Sequence, residues 1–86
     1  LEHIFFLFHV MMNKMRKDSM TLGERIQKYR KMKGLSQEEL GKLLHISRQT
    51  ISKWESNLSS PDIQSCKAMA DVFGIFLEEL LDESKK

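Results

Sequence analysis

A short polar stretch, SRQTISKWE at residues 47–55, carries the side chains whose chemistry is most specific in this chain. On a helix, at about 100° per residue, the stretch has one polar face and one apolar face. The polar face presents a guanidinium, a carboxamide, a hydroxyl and an ammonium group, which belong to Arg48, Gln49, Ser52 and Lys53. Such groups match the edges of base pairs and the oxygens of phosphates.

The opposite face has to hold this helix against a core. Thr50, Ile51 and Trp54 fall together on that face at helical spacing. Ser47 is expected to be the N-cap, because its hydroxyl can accept a hydrogen bond from a free N–H of the first turn. A polar helix face is often no more than a solvated surface. The neighbouring elements are therefore needed to distinguish a solvated face from one that binds DNA.

Two capped helices precede the stretch. Thr21 with Glu24, and Ser36 with Glu39, each have the spacing of a capping box, in which each partner's side chain accepts from the other's backbone N–H. The first box predicts a helix of about residues 22–33, and the second predicts a short helix that ends just before the quoted stretch. The short helix must depend on packing for its stability, because helices of this length are marginal alone.

The connection between the second helix and the quoted one is the three-residue turn His45-Ile46-Ser47. Gly41 stands where two steeply crossing helices must approach closely. The apolar side chains expected to anchor the pair are Leu40, Ile46, Ile51 and Trp54. The turn, the small residue, the caps and the polar face together predict a helix-turn-helix, whose second helix enters the major groove of DNA.

Two more helices complete the predicted fold. Asp62 is expected to cap a fourth helix, which Gly74 ends, and a short fifth helix is expected at residues 77–82. The inward-facing residues predicted for the fourth helix are Ile63, Cys66, Met69, Ala70 and Phe73. We therefore predict an all-α fold, a compact five-helix domain of residues 20–84.

Residues 1–19 differ in composition from the rest. Their apolar run, LEHIFFLFHVMM, has no helical stripe and lacks the flanking signals of a signal peptide. We expect an extension that derives from expression or upstream translation, and that could be partly ordered as an edge segment or seek a partner chain. Lys14, Arg16 and Lys17 could form a basic arm on DNA, although a solvated linker is the simpler interpretation.

Charge is distributed unevenly along the chain, whose formal net charge is +2. Residues 20–57 carry eight basic and four acidic side chains, whereas residues 58–86 carry three basic and six acidic ones. This asymmetry suits a polyanion that meets one side of the domain.

Other classes of function find little support in the sequence. A single cysteine, Cys66, allows no internal disulfide, and it shows no ligand spacing with the histidines, so no metal or other cofactor is expected. No pattern of paired carboxylates or of an activated serine indicates an enzyme. No stretch reaches the roughly 20 apolar residues that span a bilayer, and a cytoplasmic location is expected.

The sequence resembles the lambda-repressor-like, Cro/C1-type helix-turn-helix regulators, which are also called the xenobiotic-response-element family. The resemblance is carried by LGERIQKYRKMKGLSQEELGKLLHISRQTISKWES and PDIQSCKAMADVFGIFLEELL, within about residues 22–81. It implies a sequence-specific regulator of transcription, in this reading a repressor, that binds double-stranded DNA. A homodimer on a two-fold site is expected, because one small domain makes few contacts. The same fold also serves as an antitoxin or protein-interaction module, so a protein partner such as a toxin is the alternative.

The resemblance also implies roles for single residues. Positions where relatives reach base edges are occupied by Arg48, Gln49, Lys53 and, as a weaker candidate, Ser52. Positions of phosphate or backbone contact are occupied by Gln37, Thr50 and Asn57, and Ser47 adds its cap at the same helix start. Arg30 and Glu55 fall where relatives form an internal salt bridge.

Three residues depart from the family's pattern. His45 stands where the turn usually begins with glycine, and a positive φ at this site would cost about 1 kcal/mol. Phe76 replaces the usual small polar cap of the last helix, a loss of about 1 kcal/mol, and could either lie exposed in a dimer contact or pack against the N-terminal segment. Asn57 replaces a frequent glycine, which is a mild change.

Overall fold

The computed structural model describes residues 20–81, and the expectations for residues 1–19 and 82–86 lie outside this part of the chain. Its regular elements are α1 (Leu22–Met32), α2 (Gln37–Leu44), α3 (Arg48–Glu55), α4 (Ile63–Phe73) and α5 (Leu77–Leu81). No strand occurs among these residues. The predicted all-α, five-helix fold is confirmed.

The helices begin at the caps that the sequence predicts. In α1, the hydroxyl of Thr21 accepts from the N–H of Glu24 at 3.1 Å, and the Glu24 carboxylate accepts from the N–H of Thr21 at 2.9 Å. Ser36 and Glu39 repeat this exchange at the start of α2, at 3.0 and 2.8 Å. Backbone N–H groups at the two helix starts thus find their hydrogen-bond acceptors within four residues of the chain.

Asp62 caps α4, and its carboxylate accepts from the N–H of Ser65 at 3.2 Å. Hydrogen bonding with the side chain of Ser65, and then with its backbone, holds the pKa of the Asp62 carboxyl below its ordinary value. The helix start therefore favours the ionised carboxylate, whose charge also suits the positive end of the helix.

The core lies between α3 and the other helices. Its buried residues are Ile26 of α1, Leu40 of α2, Ile51 and Trp54 of α3, Cys66, Met69 and Phe73 of α4, and Leu80 of α5. Burying one large apolar side chain contributes about 1.5–3 kcal/mol. Two such residues on an eight-residue helix fix which face of α3 is turned inward.

One inward-facing residue was predicted wrongly. Ile63 is 50% exposed, although Cys66 and Met69 on the same stripe are buried. A side chain in the first turn of a helix tilts toward the N-terminus of that helix. Ile63 therefore extends past the neighbouring helices that cover Cys66 and Met69 in later turns.

Phe76, the unusual residue before α5, is 77% exposed. Its backbone N–H donates to the Glu79 carboxylate at 3.0 Å, which is the reciprocal half of a capping box. The helix start thus keeps one of the two hydrogen bonds that a small polar cap would give, and the aromatic ring is left on the surface.

The turn between α2 and α3 is tight. His45 has φ 59° and ψ 43°, in the left-handed region, and the N–H of Ile46 donates to the carbonyl of Gly41 at 2.8 Å. A Cβ at Gly41 would collide with the carbonyl oxygen of Ile46. The turn therefore requires both a positive φ at its first residue and the absence of a side chain one turn earlier in α2.

Replacing His45 by glycine should raise the free energy of unfolding by about 0.5–1 kcal/mol. Glycine adopts a positive φ without the Cβ conflict, and this gain outweighs the extra freedom it gives the unfolded chain. Thermal unfolding followed by circular dichroism should show a Tm higher by about 2–8 °C. His45→Ala keeps the Cβ and is the control, so equal stabilisation by both substitutions would contradict strain at this backbone position.

Candidate nucleic-acid interface

The outer face of α3 carries three of the side chains that were predicted to meet bases. Arg48, Gln49 and Lys53 are exposed, whereas Ser52 is only half-exposed. The carbonyl of Ser52 also accepts the backbone N–H of Ser56 at 3.0 Å and its hydroxyl at 2.6 Å. Three long side chains are therefore exposed on this helix, while Ser52 is partly covered.

The start of α3 is organised by two hydroxyl groups. The hydroxyl of Ser47 accepts from the N–H of Thr50 at 3.2 Å, and the two hydroxyl oxygens lie 3.0 Å apart in a hydrogen bond. Ser47 is exposed and Thr50 is half-buried. Both remain close to the positive end of the helix, where a phosphate is electrostatically favoured.

A buried ion pair joins the end of α3 to α1. The guanidinium of Arg30 meets the carboxylate of Glu55 through Nε to Oε2 at 2.6 Å and Nη2 to Oε1 at 3.1 Å. The two side chains are 9% and 4% exposed. A forked contact of this kind is stronger and more directional than a single hydrogen bond, because two parallel bonds fix the relative orientation of both groups.

Two further groups complete this pair. Arg30 donates through Nη1 to the carbonyl of Leu35 at 2.8 Å, and Gln37 donates through Nε2 to Oε1 of Glu55 at 3.0 Å. The buried side-chain polar atoms of the described residues all have hydrogen-bond partners. We call Arg30, Gln37 and Glu55 the clamp, because it ties α1 and the start of α2 to the end of α3.

The amide of Asn57 makes two hydrogen bonds that the sequence did not predict. Its φ is 63°, as a helix-ending residue requires, and the amide is bonded to the start of α1. Oδ1 accepts from the N–H of Gly23 at 3.1 Å, and Nδ2 donates to the hydroxyl of Thr21 at 2.9 Å. Asn57 remains exposed, so the predicted contact with the DNA backbone stays a prediction, and the same amide also links the end of α3 to the start of α1.

The glycine beside this amide explains how the two helices come so close. A Cβ at Gly23 would fall 2.6 Å from the carbonyl oxygen of Glu55 and 2.8 Å from Oδ1 of Asn57. No ordinary side chain fits at that separation. The start of α1 therefore lies directly on the end of α3.

A cleft beside the outer face of α3 was not anticipated from the sequence. It has a volume of about 590 Å³ and is open to solvent, and α2 and the turn contribute Glu38, Lys42 and His45 to its wall, next to Arg48 and Gln49. Residues 38, 42 and 45 are spaced as one helix face. From that spacing, the sequence could have predicted that these three residues lie together. It could not have predicted that they lie beside the start of α3.

Other kinds of site find no support in the described residues. Among them, no group of three or more His, Cys, Asp or Glu side chains is arranged to hold a metal ion. Cys66 is buried, and burial raises the pKa of its thiol, which disfavours the reactive thiolate. None of the helices in residues 20–81 is long and apolar enough to cross a membrane.

The chain is similar to known proteins over most of the described part. The sequence profile of the helix-turn-helix family matches residues 26–80. The P22 c2 repressor, solved in complex with a synthetic operator, matches with a TM-score of 0.68 and 31% identity, over 72% of this chain and 94% of that one. SinR, a master regulator for biofilm formation solved in complex with DNA, matches with a TM-score of 0.65 and 33% identity, over 70% and 97%.

Two curated relatives are longer than this chain. The transcriptional activator BcrR of Enterococcus faecalis is 40% identical over 62 residues, which are 72% of this chain and 30% of BcrR. The transcriptional regulator SinR of Bacillus subtilis is 36% identical over 63 residues, which are 72% of this chain and 57% of SinR. A solved SinR–SinI complex matches with a TM-score of 0.68 and 35% identity, over 74% of this chain and 63% of that one.

Removal of one partner of the clamp should destabilise the domain more than removal of both charges. Glu55→Leu leaves the Arg30 guanidinium buried without its anion, which costs about 3–5 kcal/mol. Arg30→Met combined with Glu55→Leu removes both charges and should recover at least about 1 kcal/mol of that loss. Urea unfolding measures the free energies of unfolding of the wild type, Glu55→Leu, Arg30→Met and the double variant. A double variant as unstable as the sum of the two single variants would show that the charges are not coupled.

Proposed function

The chain belongs to the helix-turn-helix family, in its lambda-repressor-like form, and on that premise we propose that it is a sequence-specific regulator of transcription that binds double-stranded DNA. The family is one of DNA-binding regulators and not of enzymes. The observation that carries the proposal is the division of α3 into two faces. Ile51 and Trp54 are buried, while Arg48, Gln49 and Lys53 are exposed together.

In this mechanism α3 lies in the major groove and its first turn meets the bases. Arg48 donates two hydrogen bonds to O6 and N7 of a guanine, and Gln49 exchanges two with N6 and N7 of an adenine. Lys53, one turn later, reaches a base or a phosphate. Side chains near the N-terminus of the recognition helix make the base contacts in helix-turn-helix complexes generally, and the exposure of these three residues fits that geometry.

Phosphate contacts set the register of the helix on DNA. The free N–H groups at the starts of α2 and α3 supply them, together with Ser47 and Thr50. Gln37 gives one amide hydrogen to Glu55 and retains a second N–H and its carbonyl for a phosphate or a bound water. Ser52 has a smaller part, because it is partly covered.

The regulator acts as a homodimer on a two-fold site, because three reading side chains specify too few base pairs for one copy to select an operator. Binding alone can exclude other proteins from a promoter, so repression is the simplest consequence. The relatives include the activator BcrR and the P22 c2 repressor. Activation, unlike repression, requires an additional contact with the transcription machinery.

A protein-interaction role is the second candidate, and the exposed ring of Phe76 favours it. Phe76 is 77% exposed, and SinR has been solved with the protein SinI. Such a partner would either regulate DNA binding or be bound instead of DNA. A toxin is one such partner, in which case this chain would be its antitoxin. Co-purification of the full chain with a small partner, lost on Phe76→Ser, would support this role.

Arg48→Ala and Gln49→Ala should each relax sequence discrimination. Loss of a bidentate base contact costs about 1–3 kcal/mol at the base pair it reads, so the ratio of operator to random-duplex affinity should fall by about 5-fold to 150-fold. Sequences selected from random duplex supply the operator, and fluorescence anisotropy measures both affinities. Lys31→Ala, on the exposed side of α1, is the matched control. Unchanged discrimination in both α3 variants would refute the reading face.

Selection should also return a two-fold symmetric motif whose half-sites lie about 34 Å apart, one turn of the double helix. A titration of labelled duplex at concentrations well above the Kd should give two chains for each full site. A single asymmetric half-site with one chain per duplex would rule out the dimer.

A further inference from the structure

His45 lies beside the start of α3, at the edge of the face proposed to read DNA. It is exposed at the end of α2 and lines the same cleft as Arg48 and Gln49, the first two residues of α3. If those two residues face the base edges, groups that flank them on the α2 side face the phosphates that border the groove, which is only about 12 Å wide. The cleft is open, so a sugar-phosphate strand can enter it.

The charges around this imidazole come from both helices that form the cleft. From α2, Glu38 and Lys42 line it, and from α3 Arg48 does so. Lys42 and Arg48 attract a phosphate electrostatically, whereas Glu38 repels one. A phosphate that enters the cleft brings a negative charge close to the imidazole. It therefore tips the balance toward the protonated ring.

We infer that His45 is a further DNA contact, whose imidazole binds a backbone phosphate and takes up a proton as the duplex binds. This inference rests on the proposed function, since the phosphate is the one that flanks the site read by Arg48 and Gln49. The contact is electrostatic and independent of base identity, so His45 contributes to affinity and to its pH dependence, but not to the choice of operator.

The direction of the pH dependence follows from proton linkage. Histidine is the side chain that ordinarily changes charge between pH 5 and 8. A ligand that stabilises the protonated form of an imidazole binds more tightly as the pH falls, and each unit by which it raises the pKa corresponds to a tenfold gain in affinity. We therefore expect operator affinity to increase by up to about tenfold per half-site between pH 8 and pH 6.

The test compares the full chain with His45→Asn. Asparagine tolerates the left-handed conformation and does not titrate, and His3 and His9 are present in both proteins, so their contributions cancel. Fluorescence anisotropy gives the Kd for the selected operator at pH 6, 7 and 8 at constant ionic strength, because phosphate contacts are sensitive to salt. The wild-type affinity should rise as pH falls, and the His45→Asn affinity should change by less than about twofold.

A second measurement does not depend on comparing affinities. Isothermal titration calorimetry at pH 7, in buffers of different ionisation enthalpy, counts the protons that binding takes up. Uptake should be positive for wild type and close to zero for His45→Asn. Equal pH slopes or equal uptake in the two proteins would overturn the inference while wild type still selects its operator. Loss of operator discrimination by wild type itself would instead overturn the proposed function.

Discussion

The position of α3 depends on one buried carboxylate, that of Glu55. An eight-residue helix is too short to be stable alone, so its orientation must come from tertiary contacts. Glu55 receives three hydrogen bonds, two from Arg30 and one from Gln37, at 2.6 to 3.1 Å. A carboxylate with this many charged and polar donors is expensive to displace, because any shift of α3 leaves buried groups unpaired.

The apolar contacts of α3 and the clamp restrain different motions. Ile51 and Trp54 fix the rotation of the helix about its own axis, since turning it would expose them. Glu55 fixes the far end against α1, and the amide of Asn57 adds two bonds just beyond it. With rotation and position both set, the outward face can carry whatever polar side chains an operator requires. Under the proposed function, a helix held this way loses little conformational freedom when it binds DNA.

Structural features that depend on residues within one helical turn of each other are predicted well from the sequence. The capping pairs, such as Thr21 with Glu24, lie three residues apart and were identified from spacing alone. The two faces of α3 follow from helical periodicity in the same way. The left-handed conformation of His45 was raised only as a condition, and only through the resemblance, because the family usually has glycine at that site.

Contacts between residues far apart in the chain could not be predicted from sequence patterns. Asn57 and Gly23 are separated by 34 residues, and no local pattern pairs an amide with a backbone N–H so far away. The half-exposure of Ser52 and the exposure of Ile63 also depend on which neighbouring element covers each position. The Arg30–Glu55 pair was named only through the resemblance, since its 25-residue separation has no periodic signal.

The separation of structural and reading residues has a consequence for what the fold can recognise. The buried charges of Arg30 and Glu55 are occupied by each other and by Gln37 and the carbonyl of Leu35, and have little left to offer a ligand. Arg48, Gln49 and Lys53 lie on the exposed face and are absent from the buried core. Substitutions at those three positions therefore cost little stability, and under the proposed function they are the ones expected to change operator preference. His45 is the exception, because it belongs to both sets: its backbone closes the turn in a strained conformation while its ring lines the cleft. A residue that keeps strain that glycine would relieve is best explained by what its side chain contributes on the surface.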